Sequence, residues 1–259
     1  MLILLPPSET KRTGGVVTAT DRPLQHHQRL SEARSRVRSA LEHLSRDDDA
    51  AAKSLKLGVK ARGEIAHNRA LGSSGLLPAG ERYSGVLYDA LDVPSLDTAA
   101  RDWLDTHVAV QSALFGLISV ADEIPAYRLS ASSRLPALEG GLKAVWRDAH
   151  VGMNWSAFDW VLDLRSKDYA ALAPLPEANG SALHVAQRSA SGEVRALNHF
   201  NKSAKGDLVR RLAQSQAQVR SESDLIEWAK REGLALNRVS ADAPLTLVTE
   251  LGVPGGAQL

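Results

Sequence analysis

The chain of 259 residues contains no cysteine. Disulfide bonds, thiol catalysis and cysteine-ligated zinc sites are therefore excluded, and a reducing cytoplasm is the compartment that this composition fits. No apolar run approaches the ~18 residues that a membrane-spanning helix needs, and the apolar start at residues 2–7 is too short for a secretion signal. We therefore expect a soluble, cytoplasmic protein with no membrane partner.

The chain also lacks the short motifs of several large enzyme classes. It has no Gly-x-Gly-x-x-Gly, no Walker loop, no Gly-x-Ser-x-Gly and no His-Glu-x-x-His. Its eight histidines are scattered, and only His26 and His27 are adjacent. Sequence neighbours point in different directions on a helix or a strand. No metal site and no cofactor are therefore predicted.

The net charge is only +1, but the charges are unevenly distributed. Residues 1–62 and 195–211 are basic, whereas residues 81–125 are acidic. If the fold joins the two basic segments, they form a positive surface on a nearly neutral protein. The alternative is that these runs are solvated faces without a partner.

The chain opens on an apolar run of strand length, residues 2–5, followed by two prolines that must end the strand. Ser8 and Lys11 then stand three residues apart, as in enzymes where the lysine eases deprotonation of a nucleophilic serine. Here the pair precedes Gly14-Gly15, in a loop context, so we favour the interpretation as ordinary loop residues.

Apolar periodicity predicts a helix over residues 28–44, with Arg34 among the residues off the buried stripe. Further helices are expected after an Asp47 cap, over residues 60–71, and over residues 201–216. Residues 181–187 and 193–199 are typical of a hairpin. The predicted fold is mixed α and β (α+β), with a central mixed sheet surrounded by helices. Residues 1–251 are assigned to a single domain, and 252–259 to a loose C-terminal tail.

Residues 55–66 (LKLGVKARGEIA) place an apolar-Gly-apolar turn between two predicted helices. A helix-hairpin-helix element has this pattern, and its turn presents backbone amides to a DNA phosphate. Lys56, Gly58, Lys60 and Arg62 are the corresponding DNA-contact candidates. An ordinary turn between helices matches the same pattern.

Two cations, Lys202 and Lys205, stand at the start of the helix predicted over residues 201–216. Cations there oppose the helix dipole, so the sequence is compatible with an anion held at this end. Arg210 and Arg211 follow on the same helix. The alternative is that the two lysines are simply exposed.

Several segments, taken together and in order, resemble the YaaA peroxide-stress family. They span almost the whole chain and comprise residues 1–11 (MLILLPPSETK), 83–88 (YSGVLY), 113–118 (ALFGLI) with 124–129 (IPAYRL), 163–169 (DLRSKDY) and 200–206 (FNKSAKG).

The resemblance implies a cytoplasmic bacterial protein of the oxidative-stress response that limits free intracellular iron. It also implies a single-domain mixed fold with a basic cleft and a hairpin motif that bind DNA, and no settled enzymatic activity. This sequence departs from the commoner family form, which has Pro-Ala-Lys-Thr at positions 7–10 and arginine at position 205.

The function predicted from these observations is binding of double-stranded DNA by a monomer, mostly through phosphates. The expected contacts are Lys56, Gly58, Lys60, Arg62, Lys202, Lys205, Arg210 and Arg211.

The alternative is an enzyme acting on a nucleotide or another phosphorylated small molecule. Its pocket candidates are Ser8, Lys11, Tyr88, Tyr127 and Arg128. A third hypothesis, iron sequestration, is disfavoured because no spacing of histidine and carboxylate suggests a metal site.

Overall fold

A computed structural model describes residues 1–16, 23–188, 194–196, 200–240 and 242–249. Its strands are β1 (Leu2–Leu5), β2 (Leu77–Pro78), β3 (Val108–Ser112), β4 (Gly116–Ser119), β5 (Glu123–Ile124), β6 (Val161–Asp163), β7 (Gly180–Arg188), β8 (Val194–Ala196), β9 (Ala235–Asn237) and β10 (Leu245–Thr249). Its α-helices are α1 (His27–Leu44), α2 (Asp48–Ser54), α3 (Ile65–Arg69), α4 (Ala79–Arg82), α5 (Val86–Leu91), α6 (Thr98–His107), α7 (Gly141–His150), α8 (Lys167–Ala170), α9 (Phe200–Gln214) and α10 (Glu222–Arg231).

The main sheet has the strand order β4-β3-β1-β6-β7-β10-β9, with β8 paired to β7 beside this path. The five strands from β3 to β10 in this order are parallel, whereas β4 and β9 run antiparallel at the two edges. Strands β2 and β5 form a separate antiparallel ribbon. This arrangement confirms the predicted mixed fold with a central mixed sheet.

Strand β1 lies in the middle of this sheet. From β1 the chain reaches β3 on one side and later β6 on the other, so the strand order reverses at β1. Ile3 and Leu5 pack into the larger core, and Leu2 and Leu4 into the core on the opposite face. Burial on both faces explains why β1 is uninterrupted apolar sequence rather than an alternating pattern.

The two helices predicted nearest the amino terminus are confirmed. Helix α1 matches the predicted range, and Asp47 Oδ1 accepts hydrogen bonds from the Asp49 and Ala50 amides at 3.0 Å, capping α2. Arg34, however, is buried: its Nε donates to Phe115 O at 2.7 Å and its Nη2 to Leu117 O at 2.9 Å. Phe115 immediately precedes edge strand β4, and Leu117 lies within it. Because Arg34 occupies their carbonyl oxygens, it hinders pairing of a further strand with this edge.

The prediction of one α-helix over residues 60–71 was wrong. The chain makes a 3₁₀ helix at Val59–Glu64, and only then the short α3. None of the 3₁₀ residues is buried, and Gly63 lowers helix propensity there, so no packing compensates for a regular α-helix. The predicted helix-hairpin-helix element is not confirmed.

Toward the carboxyl terminus, β7 and β8 pair antiparallel, as the hairpin prediction requires, although residues 189–193 and 197–199 lie outside the described residues. The 252–259 tail also lies outside them, so the domain limits stay a prediction. Within the described parts of the chain, no helix combines the length and apolar character needed to cross a bilayer.

Candidate functional site

A cavity of about 460 Å³ opens beside the carboxyl ends of the central strands. We call it the strand-end pocket, and define it by segments 6–10, 84–88 and 130–132 together with Ser166, Asp168, Tyr169 and Lys202. Segment 6–10 follows β1 and Ser166 follows β6. In open α/β sheets, ligands bind outside the carboxyl ends of the strands where the strand order reverses. The pocket therefore occupies the position that the topology favours for a ligand.

Gly85 brings two walls of the pocket close together. Its φ of 96° is reached readily by glycine but rarely by other residues, and a Cβ there would lie 3.3 Å from Thr10 Oγ1 and 3.4 Å from Ser8 Oγ. The Ser8 and Thr10 hydroxyls are hydrogen-bonded to each other at 3.2 Å, and Thr10 Oγ1 donates to Ser84 O at 3.2 Å. The result is a wall lined with hydroxyl groups.

Lys11 lies behind this wall rather than in the pocket lining. Its Nζ donates to the carbonyl oxygens of Ser8 at 2.8 Å and Glu9 at 3.1 Å, and stands 4.1 Å from the Tyr127 ring centroid. Burial, with a smaller contribution from the Arg128 cation, lowers the pKa of Lys11 to about 7. Because Nζ binds the Ser8 carbonyl while the Ser8 hydroxyl binds Thr10, the geometry favours the loop interpretation over a serine–lysine nucleophile.

Tyr127, one of the pocket candidates, lies in the interior within a chain of hydroxyl groups. Ser112 Oγ lies 2.8 Å from Tyr127 OH, which lies 2.8 Å from Tyr83 OH. Ser112 Oγ accepts hydrogen bonds from the amides of Leu114 and Phe115, so its own proton is available for Tyr127. Burial raises the pKa of both tyrosines, which keeps the chain neutral. Nothing in the sequence pattern around Ser112 indicated this arrangement.

Two further tyrosines line the pocket and tie its segments together. Tyr88 OH donates to Pro6 O at 2.9 Å, and Tyr169 OH accepts from the Ala131 amide at 3.3 Å. Burial raises the pKa of both phenols. Tyr88 is therefore where the sequence predicted it, at the pocket, although its hydroxyl is already engaged.

Arg128, also a pocket candidate, supports the pocket from outside its lining. Its guanidinium pairs with Glu9 at 2.7 Å and with Glu64 at 3.2 Å. Its backbone amide donates to Asn68 Oδ1 at 2.7 Å, and Asn68 Nδ2 donates back to Arg128 O at 3.0 Å. The charge of Arg128 is therefore balanced by two carboxylates, and its pairing with Glu9 also holds segment 6–10 in place.

The two lysines at the start of α9 do not share an exposed face. Lys202 is exposed and lines the pocket, whereas Lys205 is buried and its Nζ donates to Leu164 O at 3.0 Å. Burial, partly opposed by Asp163, lowers the pKa of Lys205 to about 8. The register of α9 explains the difference, because the next residue, Gly206, is pressed against the backbone of α5.

An ion pair at the end of β6 flanks Leu164, whose carbonyl oxygen binds Lys205. Arg165 donates through Nε and Nη2 to the two oxygens of Asp163, at 2.9 and 2.7 Å, and through Nη1 to Ala173 O at 2.9 Å. The Arg165 side chain is fully buried. This pair fixes the chain immediately before Ser166, which lines the pocket.

The remaining predicted DNA contacts lie on two elements, helix α9 and the turn that leads into the 3₁₀ helix Val59–Glu64. On α9, Arg210 Nη1 donates to Leu91 O and Asp92 O at 3.0 Å, and Arg211 pairs with Asp207 at 2.8 Å. On the other element, Lys56, Gly58, Lys60 and Arg62 are all exposed, and Arg62 pairs with Asp49 at 2.8 Å.

Sequence reasoning missed Asp168 and the serines of segment 130–132 as pocket residues. Asp168 could have been found, since it follows closely on the end of a buried strand, as Ser8 does. Segment 130–132 carries no such signal. Across the described residues, no group of three or more histidines and carboxylates is placed to hold a metal ion.

Comparison with known sequences identifies the family of this chain. The model of the family described as peroxide stress protein YaaA matches residues 1–239. A UPF0246 protein of Corynebacterium glutamicum is 39% identical over 247 residues, covering 91% of this chain and 94% of its own. A UPF0246 protein of Streptomyces coelicolor is 38% identical over 248 residues, covering 94% of each chain. The chain therefore belongs to the YaaA family of peroxide stress proteins.

Proposed function

We propose that the strand-end pocket binds a nucleotide or another phosphorylated small molecule. Binding there would be the molecular activity behind the oxidative-stress role that the family indicates. The observation that carries the proposal is the position of the pocket, at the reversal of strand order, with a lysine in its lining. Cytoplasmic location is part of the same proposal, supported by the absence of cysteine.

Two buried lysines beside the pocket support an anionic ligand. Lys11 and Lys205 donate to carbonyl oxygens, and neither has a carboxylate oxygen within 4.0 Å among the described residues. Moving such cations out of water is costly without a compensating negative charge. A phosphate bound near Lys202, one helical turn from Lys205, would supply that charge.

Thermal denaturation with a panel of phosphorylated compounds tests the proposal. A ligand present at 100 times its Kd stabilises the folded state by about 2.7 kcal/mol. For a chain of this size that raises Tm by roughly 5–10 °C. Lys202→Ala should abolish most of the rise, while Lys167→Ala, which removes an exposed lysine outside the lining, should keep it. No rise with any compound, or equal rises in both variants, would contradict pocket binding.

A second candidate function is binding of duplex DNA through the turn at residues 56–62, which would also shield DNA from damage by free iron. Lys56 has a positive φ of 56°, and Val59 is 85% exposed. Lys60 and Arg62 are exposed on the same 3₁₀ segment. Such a turn presents lysine and arginine to phosphates without a base-reading helix, which supports binding with little sequence preference.

The salt dependence of DNA affinity tests this second candidate. Replacing both Lys56 and Lys60 by alanine should weaken binding to all sequences similarly, and reduce the salt slope by up to about 2 units. The matched control is the double replacement of Lys143 and Lys230, two exposed lysines elsewhere. Binding at low salt that is unaffected by the first pair would remove the turn from any DNA-contacting surface.

A further inference from the structure

The charges in the strand-end pocket are few and of both signs. Among the described residues, its lining contains one lysine, Lys202, and two carboxylates, Glu9 and Asp168. Glu9 is paired with Arg128 at 2.7 Å. Asp168 lines the cavity and is exposed. It makes no hydrogen bond or ion pair with any described residue. A ligand therefore meets one available cation and one available carboxylate.

The neutral part of the lining offers both hydroxyl groups and apolar surface. Ser84 Oγ and Ser166 Oγ have no hydrogen-bond partner among the described residues, so both are available to a polar ligand. Pro7, Val86 and Leu87 add apolar surface. The volume, about 460 Å³, lies in the range of sites that enclose a small organic molecule.

Building on the proposed function, we propose that the ligand is a free ribonucleoside 5′-monophosphate. Its single phosphate lies near Lys202, its ribose 2′- and 3′-hydroxyls donate to the Asp168 carboxylate, and its base covers the apolar wall. A carboxylate that accepts from ribose hydroxyls is a common device in nucleotide sites.

The same charges disfavour related ligands. A triphosphate brings additional negative charges toward Asp168, and Lys202 is the one lysine in the described part of the lining that could balance them. Like charges at close range repel. A nucleotide within a DNA strand lacks the 2′-hydroxyl and has its 3′-hydroxyl esterified, so it offers Asp168 no donor. A sugar phosphate lacks the base that would cover the apolar wall, and loses the corresponding burial.

Calorimetric titration of the full chain tests this ligand class. The probes are AMP, GMP, CMP and UMP, each with its triphosphate and its deoxy form. Adenosine, ribose 5-phosphate and a 5′-phosphorylated DNA oligonucleotide are included for comparison. At least one ribonucleoside monophosphate should bind about tenfold or more tightly than its deoxy form, a typical effect of losing a hydrogen bond to a charged group. The same monophosphate should bind more tightly than its triphosphate, because of the charge repulsion.

Two variants assign the contacts. Asp168→Ala, which removes the acceptor oxygens, should abolish the preference for ribose over deoxyribose. Lys202→Ala should abolish the preference for AMP over adenosine. Asp102→Ala, at an exposed aspartate on α6, is the control for the loss of a carboxylate.

The outcomes separate the two proposals. If none of the phosphorylated probes binds, the proposed function is wrong. If ATP, ribose 5-phosphate or the oligonucleotide binds as tightly as the best monophosphate, phosphate binding stands and the mononucleotide assignment is wrong. A deoxy form that binds equally well, or an Asp168→Ala variant that keeps the ribose preference, also overturns the assignment.

Discussion

Replacement of Gly206 by alanine is the sharpest test of how the pocket wall is held. Gly206 lies inside α9, at its contact with α5. A Cβ there would stand 2.1 Å from Leu87 O and 3.0 Å from Ala90 Cβ. The nearest atom belongs to the backbone, so no side-chain rotation relieves the contact. Helix α5 must move away from α9 by about 1 Å or more to restore an ordinary van der Waals distance.

The magnitude follows from two opposing effects. Overpacking of this kind costs about 1–3 kcal/mol, and a clash with backbone belongs at the upper end of that range. Alanine in place of a helical glycine returns up to about 1 kcal/mol. We therefore expect Gly206→Ala to lower the free energy of unfolding by about 2 kcal/mol, with Tm lower by roughly 4–8 °C.

Urea denaturation and calorimetry measure this effect, and Gly63→Ala is the matched control. A Cβ on Gly63 meets no atom within 4 Å, so that variant should be as stable as the wild type or slightly more stable. Because Leu87 and Tyr88 line the pocket, Gly206→Ala should also weaken ligand binding. A Gly206→Ala variant as stable as Gly63→Ala would refute the close α5–α9 contact.

Three further variants test groups around the pocket. Ser112→Ala leaves the buried amides of Leu114 and Phe115 without their acceptor and should cost about 2 kcal/mol or more by urea denaturation; a cost near zero would contradict the hydroxyl chain. Asp163→Ala leaves the buried Arg165 guanidinium without its carboxylate partner and should lower the free energy of unfolding by about 3–5 kcal/mol; a loss below 1 kcal/mol would show that the pair is dispensable. Lys11 has a lowered pKa of about 7 when folded, so above that pH the unfolded chain binds more protons and stability rises with pH. Wild type should therefore gain stability more steeply than Lys11→Met between about pH 7.5 and 9.5, and parallel pH profiles would contradict this assignment.

Local signals in the sequence were sufficient for the elements whose environment is simple. The apolar run of β1 ends at two prolines, and the stripe of α1 and the Asp47 cap depend on residues close in sequence. The 3₁₀ form of Val59–Glu64 was missed because it reflects an absence of packing, which periodicity does not report.

The candidate site was predicted less completely, because contacts distant in sequence decide it. The buried state of Lys205 depends on how α9 packs against α5 and on a carbonyl after β6. Tyr127 points to Ser112 rather than to the cavity, which only the assembled core determines. Asp168 lies in the pocket because β6, which it follows, is next to β1 in the sheet.

A crystal structure of the protein with a saturating ribonucleoside monophosphate tests the central claim most directly. The account predicts ligand density in the strand-end pocket, with the phosphate near Lys202 and the ribose near Asp168. Density only at another place, such as the turn at residues 56–62, or an empty pocket at saturating ligand, would contradict it.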